Sequence, residues 1–476
     1  MTTTHQTVDL LIAGGTIVTM DDDGHIYEDG AIAVNGTDIV FVGSRQDALQ
    51  KLSAKETLDA AGQVIMPGLV NSHTHAAMTL FRGLADDMNL EPWLQRIWAV
   101  ESQYATAENV GTGSELAFVE MIRSGTTTAA DMYWQRDVTT EAAKEAGFRL
   151  MCGPSFIEFT GPDGIRPENR EAVAHEYLSH YQGDPLISTC VQVHATYSVP
   201  TPLLEKARDI ALGYDAIFIT HASESQTEVK TIVERYGKTP IEYLESLGLL
   251  GPKTMLAHGV HLRDDEIRLL AERQTSIAHC PESNLKLGSG IARVADMLAA
   301  GINVCLGTDG AATNNDLDMW GEMQTAALLQ KGFNLDPTLL PASTALQMAT
   351  IAGARALGLE DKIGSLKVGK RADIILIDFD QPHLTPLYNL YSHLVYSINK
   401  ADVETVLING QFVMRNRQLL TLDEAAIKSK TRRIAKNIFQ DCSGIFQPCV
   451  YNVAMLDYIW KEKLNVQQNL TGYRRF

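Results

Sequence analysis

Residues 64–75 read Val64-Ile65-Met66-Pro67-Gly68-Leu69-Val70-Asn71-Ser72-His73-Thr74-His75. The run begins as an apolar, β-branched segment, the pattern of a buried strand, and finishes in His-x-His. Residues i and i+2 of a strand project from one face, so two imidazoles here can grip one cation from one side. Two histidines buried at a strand end without partners would be costly, and a metal relieves that cost. A pair of hydrogen-bonded core or surface histidines is the alternative, and the rest of the chain has to decide between them.

Downstream of this run, strand and amphipathic-helix patterns alternate to about residue 360. Strand candidates follow at Thr126–Met132, Leu150–Phe156, Cys190–Ala195, Ala216–Thr220, Thr254–Ala257, Thr275–Ala278 and Asn303–Leu306. With the opening stretch they make about eight, the strand count of a β/α barrel. An open doubly wound sheet is the alternative, but no glycine-rich dinucleotide fingerprint follows the first strand. Upstream, short strand-like runs with an Asn35-Gly36 hairpin signal occupy residues 1–64, too little for a sheet covered on both faces. Matching runs return at Ala372–Asp378 and Val403–Val413. The expected architecture is therefore α/β: a (β/α)8 TIM-like barrel over 65–362, with a small β-sandwich built from 1–64 and 363–420. A charged helical stretch, Asp423–Lys436, opens a tail over 421–476 that carries Cys442 and Cys449 and is expected to pack on the barrel or a neighbouring subunit.

The 476 residues suffice for a large core and more than one unit, and 45% apolar with 21% charged residues is ordinary for a soluble enzyme. A formal charge of −18 argues against nucleic acid or an anionic membrane as partner. Met1–Thr7 shows no basic segment leading into an apolar one, so no signal peptide is expected, and no window has the length of a membrane span. The six cysteines form no Cys-x-x-Cys pair, which suits a reduced, cytoplasmic protein.

Barrel chemistry sits at the C-terminal ends of the strands. Those positions here hold His73 and His75, then His194, His221, His258 and His279, with Asp309 on the eighth strand in Gly307-Thr308-Asp309-Gly310. One such histidine is usually a satisfied core residue; six of thirteen at equivalent positions are what a catalytic metal requires. His73, His75, His221 and Asp309 suit Zn²⁺ with a position left for water, whose pKa the metal lowers toward neutrality. Asp309 can take that water's proton, His258 is placed to hydrogen-bond the attacking oxygen, and Glu224 can shuttle a proton over the substrate. Two-metal barrels commonly need a carboxylated lysine on the fourth strand; this strand has none, so one Zn²⁺ per subunit is expected, with Fe²⁺ or Mn²⁺ as alternatives.

The Pro67–His75 run, Gly307–Gly310 and the Gly369-Lys370-Arg371-Ala372-Asp373 turn together resemble the amidohydrolase superfamily across nearly the full length. Within it, His73–Gly83, Trp93-Leu94, Ser283–Gly290 and Gly307–Asn315 are most similar to methylthioadenosine/S-adenosylhomocysteine deaminases and the related triazine hydrolases. The resemblance implies hydrolytic deamination at C6 of an adenine ring, with Glu224 protonating N1 and ammonia expelled. It makes Glu101 the carboxylate for the ribose hydroxyls, with an exposed helical glutamate as the alternative. It makes His194 a substrate-binding histidine, and Trp93 and Met78 walls of the base pocket; core packing accounts equally well for the last two. His279 joins this substrate-binding set, and the subunits are expected to form a homo-oligomer.

One departure bears on substrate. Relatives that use S-adenosylhomocysteine place an arginine just after the third strand, where this chain reads Met151-Cys152-Gly153-Pro154-Ser155. Arg166 matches a second arginine of that site, or is a solvated loop charge. Methylthioadenosine, adenosine or 5′-deoxyadenosine therefore fit better than S-adenosylhomocysteine. A hydrolase of triazines or other aminated heterocycles is the competing expectation, since it shares the metal chemistry. A non-catalytic scaffold is a third, opposed by the complete ligand set.

Overall fold

The computed structural model describes residues 6–442. Cys449 and the aromatic, basic Tyr473–Phe476 end of the tail lie outside those residues, as does the side chain of Cys442. Ten segments form one parallel sheet, ordered so that each strand pairs with the next in the chain. Ser155–Phe156 continues the third strand, and Asp309–Gly310 follows Val304–Leu306 and pairs with Thr74 and His75 of the first. The sheet thus closes on itself as a β/α barrel of eight staves. Side-chain alternation divides its residues between an interior filled by Val70, Met151, Cys190, Ile219, Met255, Ala278 and Cys305 and an outer layer where Ile277, Leu256 and Phe218 meet the helices.

Both chain ends supply a second, nine-stranded sheet. Its long first strand, Gln6–Val18, pairs with Ile26–Asn35 and with Gln63–Pro67, and Gln63–Pro67 pairs in turn with Ile374–Asp378. Leu10, Ile12, Ile32 and Ile65 from one end share an apolar core with Ile374, Leu376 and Leu407 from the other. Neither end has enough apolar surface to form this core alone.

The run that reads as one strand is two. Val64–Pro67 belong to the end sheet and Leu69–His75 to the barrel, with the break at Gly68. A β-carbon on Gly68 would lie 2.1 Å from Thr127 Oγ1, so only glycine lets the chain pass there. The Gly68 N–H donates to the Asp373 carbonyl at 3.0 Å. The Asp373 carboxylate in turn accepts two hydrogen bonds from Arg149 of the third barrel strand, at 2.7 and 2.9 Å, and one from the Asn409 N–H at 2.7 Å. With side chains 4% and 3% exposed, Arg149 and Asp373 bridge barrel and end sheet out of water.

The tail helix, Glu424–Cys442, lies along Ala107–Arg123, burying Ile427, Ile434 and Ile438. Ile434 and Ile438 join the apolar cluster that contains Met78 and Trp93, so part of the tail supports the wall of the cleft described next.

Removing one partner of a buried pair strands the other charge, which costs about 3–5 kcal/mol. Asp373→Ala should therefore lower unfolding free energy by that amount in urea titration, and a loss below about 1 kcal/mol would place the pair with ordinary surface bridges.

Candidate active site

At the C-terminal mouth of the barrel, four strands deliver polar side chains to one point. His73 and His75 come from Leu69–His75, His221 from Ile217–Ala222, His258 from Thr254–His258 and Asp309 from the closing segment. The backbone is left-handed at Ser223 (φ 54°), His258 (φ 77°) and Asp309 (φ 59°), a costly conformation for these residue types that turns each chain end toward the mouth. Gly307 is required beside them because a β-carbon there would lie 2.7 Å from the His73 carbonyl.

The donor atoms face each other. One candidate ligand atom from each of His73, His75 and His221 lies within 4.8 Å of the others, and His73, His258 and Asp309 form a second such group. His221 Nδ1 donates to the His194 carbonyl at 2.6 Å, and His75 Nδ1 donates to the Met132 carbonyl, which leaves both Nε2 atoms as bare lone pairs. His221 Nε2 then sits 3.1 Å from His73 Nε2, and His75 Nε2 sits 3.1 Å from Asp309 Oδ1. Each of these contacts needs a positive charge between the two atoms, either a proton or a cation. The other Asp309 oxygen is occupied by Ser283 Oγ at 2.6 Å. The charges point the same way. Burial alone would raise the Asp309 carboxyl, but hydrogen bonds from His73 and His75 hold it well below the ordinary range. Burial pulls His75 down, yet Asp309 outweighs it and lifts His75 to about 9, so this point calls for positive charge. Burial keeps His73 and His221 neutral, as ligands must be. The residues fit a divalent cation.

The cleft above this point encloses about 700 Å³, part of it open to solvent. His75, His221, His258, Asp309, Glu224, His194, Met78, Trp93 and Glu101 all line it. Glu224 is pushed well above the carboxylate range, first by burial and then by Asp309, Glu228 and Glu91. Burial holds His258 neutral, down at about 4, and its Nδ1–H donates to Asn284 Oδ1 at 3.0 Å. His258 Nε2 is then an acceptor, 3.5 Å from Glu224 Oε2. His194, lowered to about 3 by burial, is held through Nδ1 by Ser198 Oγ at 2.6 Å. Trp93 anchors by donating Nε1–H to the Ala312 carbonyl at 3.1 Å.

Glu101 is no exposed helical glutamate. It is 2% exposed, and its oxygens accept from Tyr133 Oη at 2.7 Å and Trp134 Nε1 at 3.0 Å. It lies on Leu90–Tyr104, the helix that also turns Leu90, Leu94 and Trp98 to the cleft at helical spacing.

Two expected site residues do not reach the cleft. Arg166 has its side chain 64% exposed and pairs with Glu168 at 3.4 Å, the behaviour of a solvated loop charge. His279 is buried at the end of the seventh strand, near His258 but not among the residues that line the cleft. Among the described residues no lysine or arginine lines the cleft. Tyr133, Trp134, Trp98 and Tyr197 line it without having been singled out from sequence. The Asp131-Met132-Tyr133-Trp134 end of the second strand was a strand end like the others, and Leu90, Leu94, Trp98 and Glu101 share a helical face. Asp131, whose Oδ1 accepts the Ala76 N–H at 2.6 Å just after His75, was also passed over.

Comparison with known proteins agrees with this geometry. The amidohydrolase family model matches residues 64–413. The chain is 46% identical over 431 residues to a 5-methylthioadenosine/S-adenosylhomocysteine deaminase of Syntrophobacter fumaroxidans (strain DSM 10017 / MPOB), spanning 90% of this chain and 98% of that protein. The crystal structure of an adenosine deaminase from Xanthomonas campestris with bound zinc superposes with a TM-score of 0.90 at 39% identity, covering 92% of this chain and all (100%) of that one. An atrazine chlorohydrolase from Arthrobacter aurescens TC1 complexed with zinc gives a TM-score of 0.82 at 26% identity, covering 90% of this chain and 100% of that one. Its barrel, its converging histidines and aspartate, and a match over most of its length place this chain in the amidohydrolase family.

Proposed function

We propose that the protein is a hydrolytic deaminase that replaces the C6 amino group of an adenine nucleoside with oxygen, giving the inosine analogue and ammonia. The observation that carries this reading is the two-ended cleft: a buried carboxyl beside a cation site at one end, and the buried, doubly hydrogen-bonded Glu101 at another. A ribose offers hydroxyl donors to such a carboxylate. His73, His75, His221 and Asp309 would hold one Zn²⁺, with Fe²⁺ or Mn²⁺ as alternatives, and the bound ion supplies the acidity that makes a water nucleophilic near neutral pH.

The protein's own groups then account for every proton. Glu224 gives its proton to purine N1, drawing electron density from C6 as the oxygen attacks. His258, fixed as an Nε2 acceptor by Asn284, hydrogen-bonds that oxygen. Asp309, its other oxygen tied to Ser283, takes the first proton of the water and passes it to the departing amino group. The second proton returns to Glu224 as the C6 carbonyl forms, and ammonia leaves.

The absence of lysine and arginine from the described lining of the cleft favours substrates with a short, uncharged 5′ group. Methylthioadenosine, 5′-deoxyadenosine and adenosine suit the aromatic wall of Trp98 and Trp134 better than S-adenosylhomocysteine, whose carboxylate would meet no cation there. The structural likeness to an atrazine chlorohydrolase keeps a triazine substrate as the second reading, but a triazine leaves Glu101 with no hydroxyl to hold. A cytoplasmic homo-oligomer belongs to the same proposal. It is supported by free, buried Cys152, Cys190, Cys280 and Cys305, and by Phe333 and Leu335, exposed at 62% and 90%.

Purified zinc-loaded protein should convert methylthioadenosine with release of ammonia and the adenine-to-hypoxanthine absorbance change; no turnover of any of the four nucleosides by fully loaded protein would reject the reading. Hydrogen bonds to a charged group contribute about 1.5–3 kcal/mol each, so Glu101→Ala should lower kcat/KM for nucleosides by about 100-fold or more. The same variant should leave turnover of a sugar-free triazine nearly unchanged. At the metal end, removing a group that orients a ligand typically costs 10–100-fold in affinity, about the loss expected for zinc in Ser283→Ala by competitive chelator titration. Wild-type affinity in that variant would mean that Ser283 does not orient Asp309.

A further inference from the structure

Glu224 has little to aim it. The polar neighbour of its carboxyl is His258 Nε2 at 3.5 Å, too long for a hydrogen bond of ordinary strength. Its direction must come from its backbone, which leaves the fifth strand through the left-handed Ser223. That turn is gripped from below. Ser225 caps the helix Gln226–Tyr236 by accepting the Glu228 N–H at 3.0 Å, and the Glu228 carboxylate reaches back to accept the Glu224 N–H at 2.7 Å. In an ordinary capping box that carboxylate would serve the cap residue's own N–H. Here its closest bond is to the residue before the cap. The other carboxylate oxygen lies 3.5 Å from Thr196 Oγ1, at the end of the fourth strand.

Glu228 is 4% exposed, deeper than helix capping alone needs. Burial raises it to about 7, against the pull of the N–H groups of Glu224, Ser223 and Ser225. Glu91, which accepts from Ser225 Oγ at 3.0 Å, joins the same turn to the helix that carries Glu101.

We propose that Glu228 is a positioning residue: by accepting the Glu224 N–H it holds the Ser223–Ser225 turn and so aims the Glu224 carboxyl into the cleft. What Glu224 does there rests on the deaminase reading above; the grip on the turn does not. Glu228→Met fills the same volume without an acceptor, whereas Glu228→Gln keeps a carbonyl oxygen for the N–H. A misplacement of about 1 Å costs on the order of 100-fold in rate. Glu228→Met should therefore lower kcat for methylthioadenosine by about 10–100-fold, with KM within about threefold and zinc content unchanged. Amide hydrogen exchange in the peptide spanning Glu224 should rise in the same variant. Glu228→Gln should restore kcat to within about threefold and keep the amide protected. If Glu228→Met does not fold, Glu228→Asp, shorter by one methylene but still charged, takes its place with the same expectations. Wild-type kcat and protection in Glu228→Met (or in Glu228→Asp in its place), or equal losses in that variant and Glu228→Gln, would overturn the proposal. If the wild-type protein turns over no nucleoside, the deaminase reading fails on its own, and the exchange data still decide whether Glu228 holds the turn.

Discussion

Lone pairs from three imidazoles and a carboxylate converge on one buried point, and much of the local structure exists to make that tolerable. His75 Nε2 lies 3.1 Å from Asp309 Oδ1 and His221 Nε2 lies 3.1 Å from His73 Nε2, contacts that need a proton or a cation between them. The fold fixes which nitrogen faces inward by giving the other to a carbonyl, Met132 for His75 and His194 for His221. It ties the Asp309 segment to the first strand through Asn71, which donates to Thr308 Oγ1 at 2.7 Å and accepts the Thr308 N–H at 3.1 Å. It also accepts left-handed backbone at two of the strand ends that bear site residues, His258 and Asp309.

A barrel suits this because each stave brings one chain end to the same mouth, with helices outside to carry the stability. The cleft then divides its work between supports. The metal end stands on strands, rigid and short of solvent. The pocket wall stands largely on one helix, Leu90–Tyr104, and on the residues after the second strand. Trp93, Trp98 and Glu101 thus stand on an element apart from the converging histidines and Asp309, so the pocket wall can be altered without moving them.

The parts legible in the sequence were those that a short period or a local run encodes. His-x-His on a strand is a two-residue statement, and His221 and Asp309 each close an apolar run, so the barrel and the convergence of these four residues at its mouth could be read without contacts. The break at Gly68 could not, because Val64–Val70 is apolar throughout and nothing local shows that Thr127 crosses behind the glycine. His279 sat at a strand end like the true site residues, but whether a strand-end side chain reaches the cleft depends on backbone twist, and His258 and Asp309 reach the mouth through positive φ that no residue type announces. The burial of Glu101 cannot be read locally, because its partners, Tyr133 and Trp134, lie over thirty residues away. Nothing in the sequence marks Glu228 either, because its bond to the Glu224 N–H is a matter of distance, not of sequence pattern.

A crystal structure of the zinc-loaded protein with a product inosine analogue is the most direct test of a nucleoside lying between the cation site and Glu101. The predicted result has the purine O6 at His73, His75, His221 and Asp309, N1 against Glu224, and both ribose hydroxyls on the Glu101 carboxylate. A nucleoside bound the other way round, with its sugar at the histidines or Glu101 contacting no part of it, would contradict the assignment.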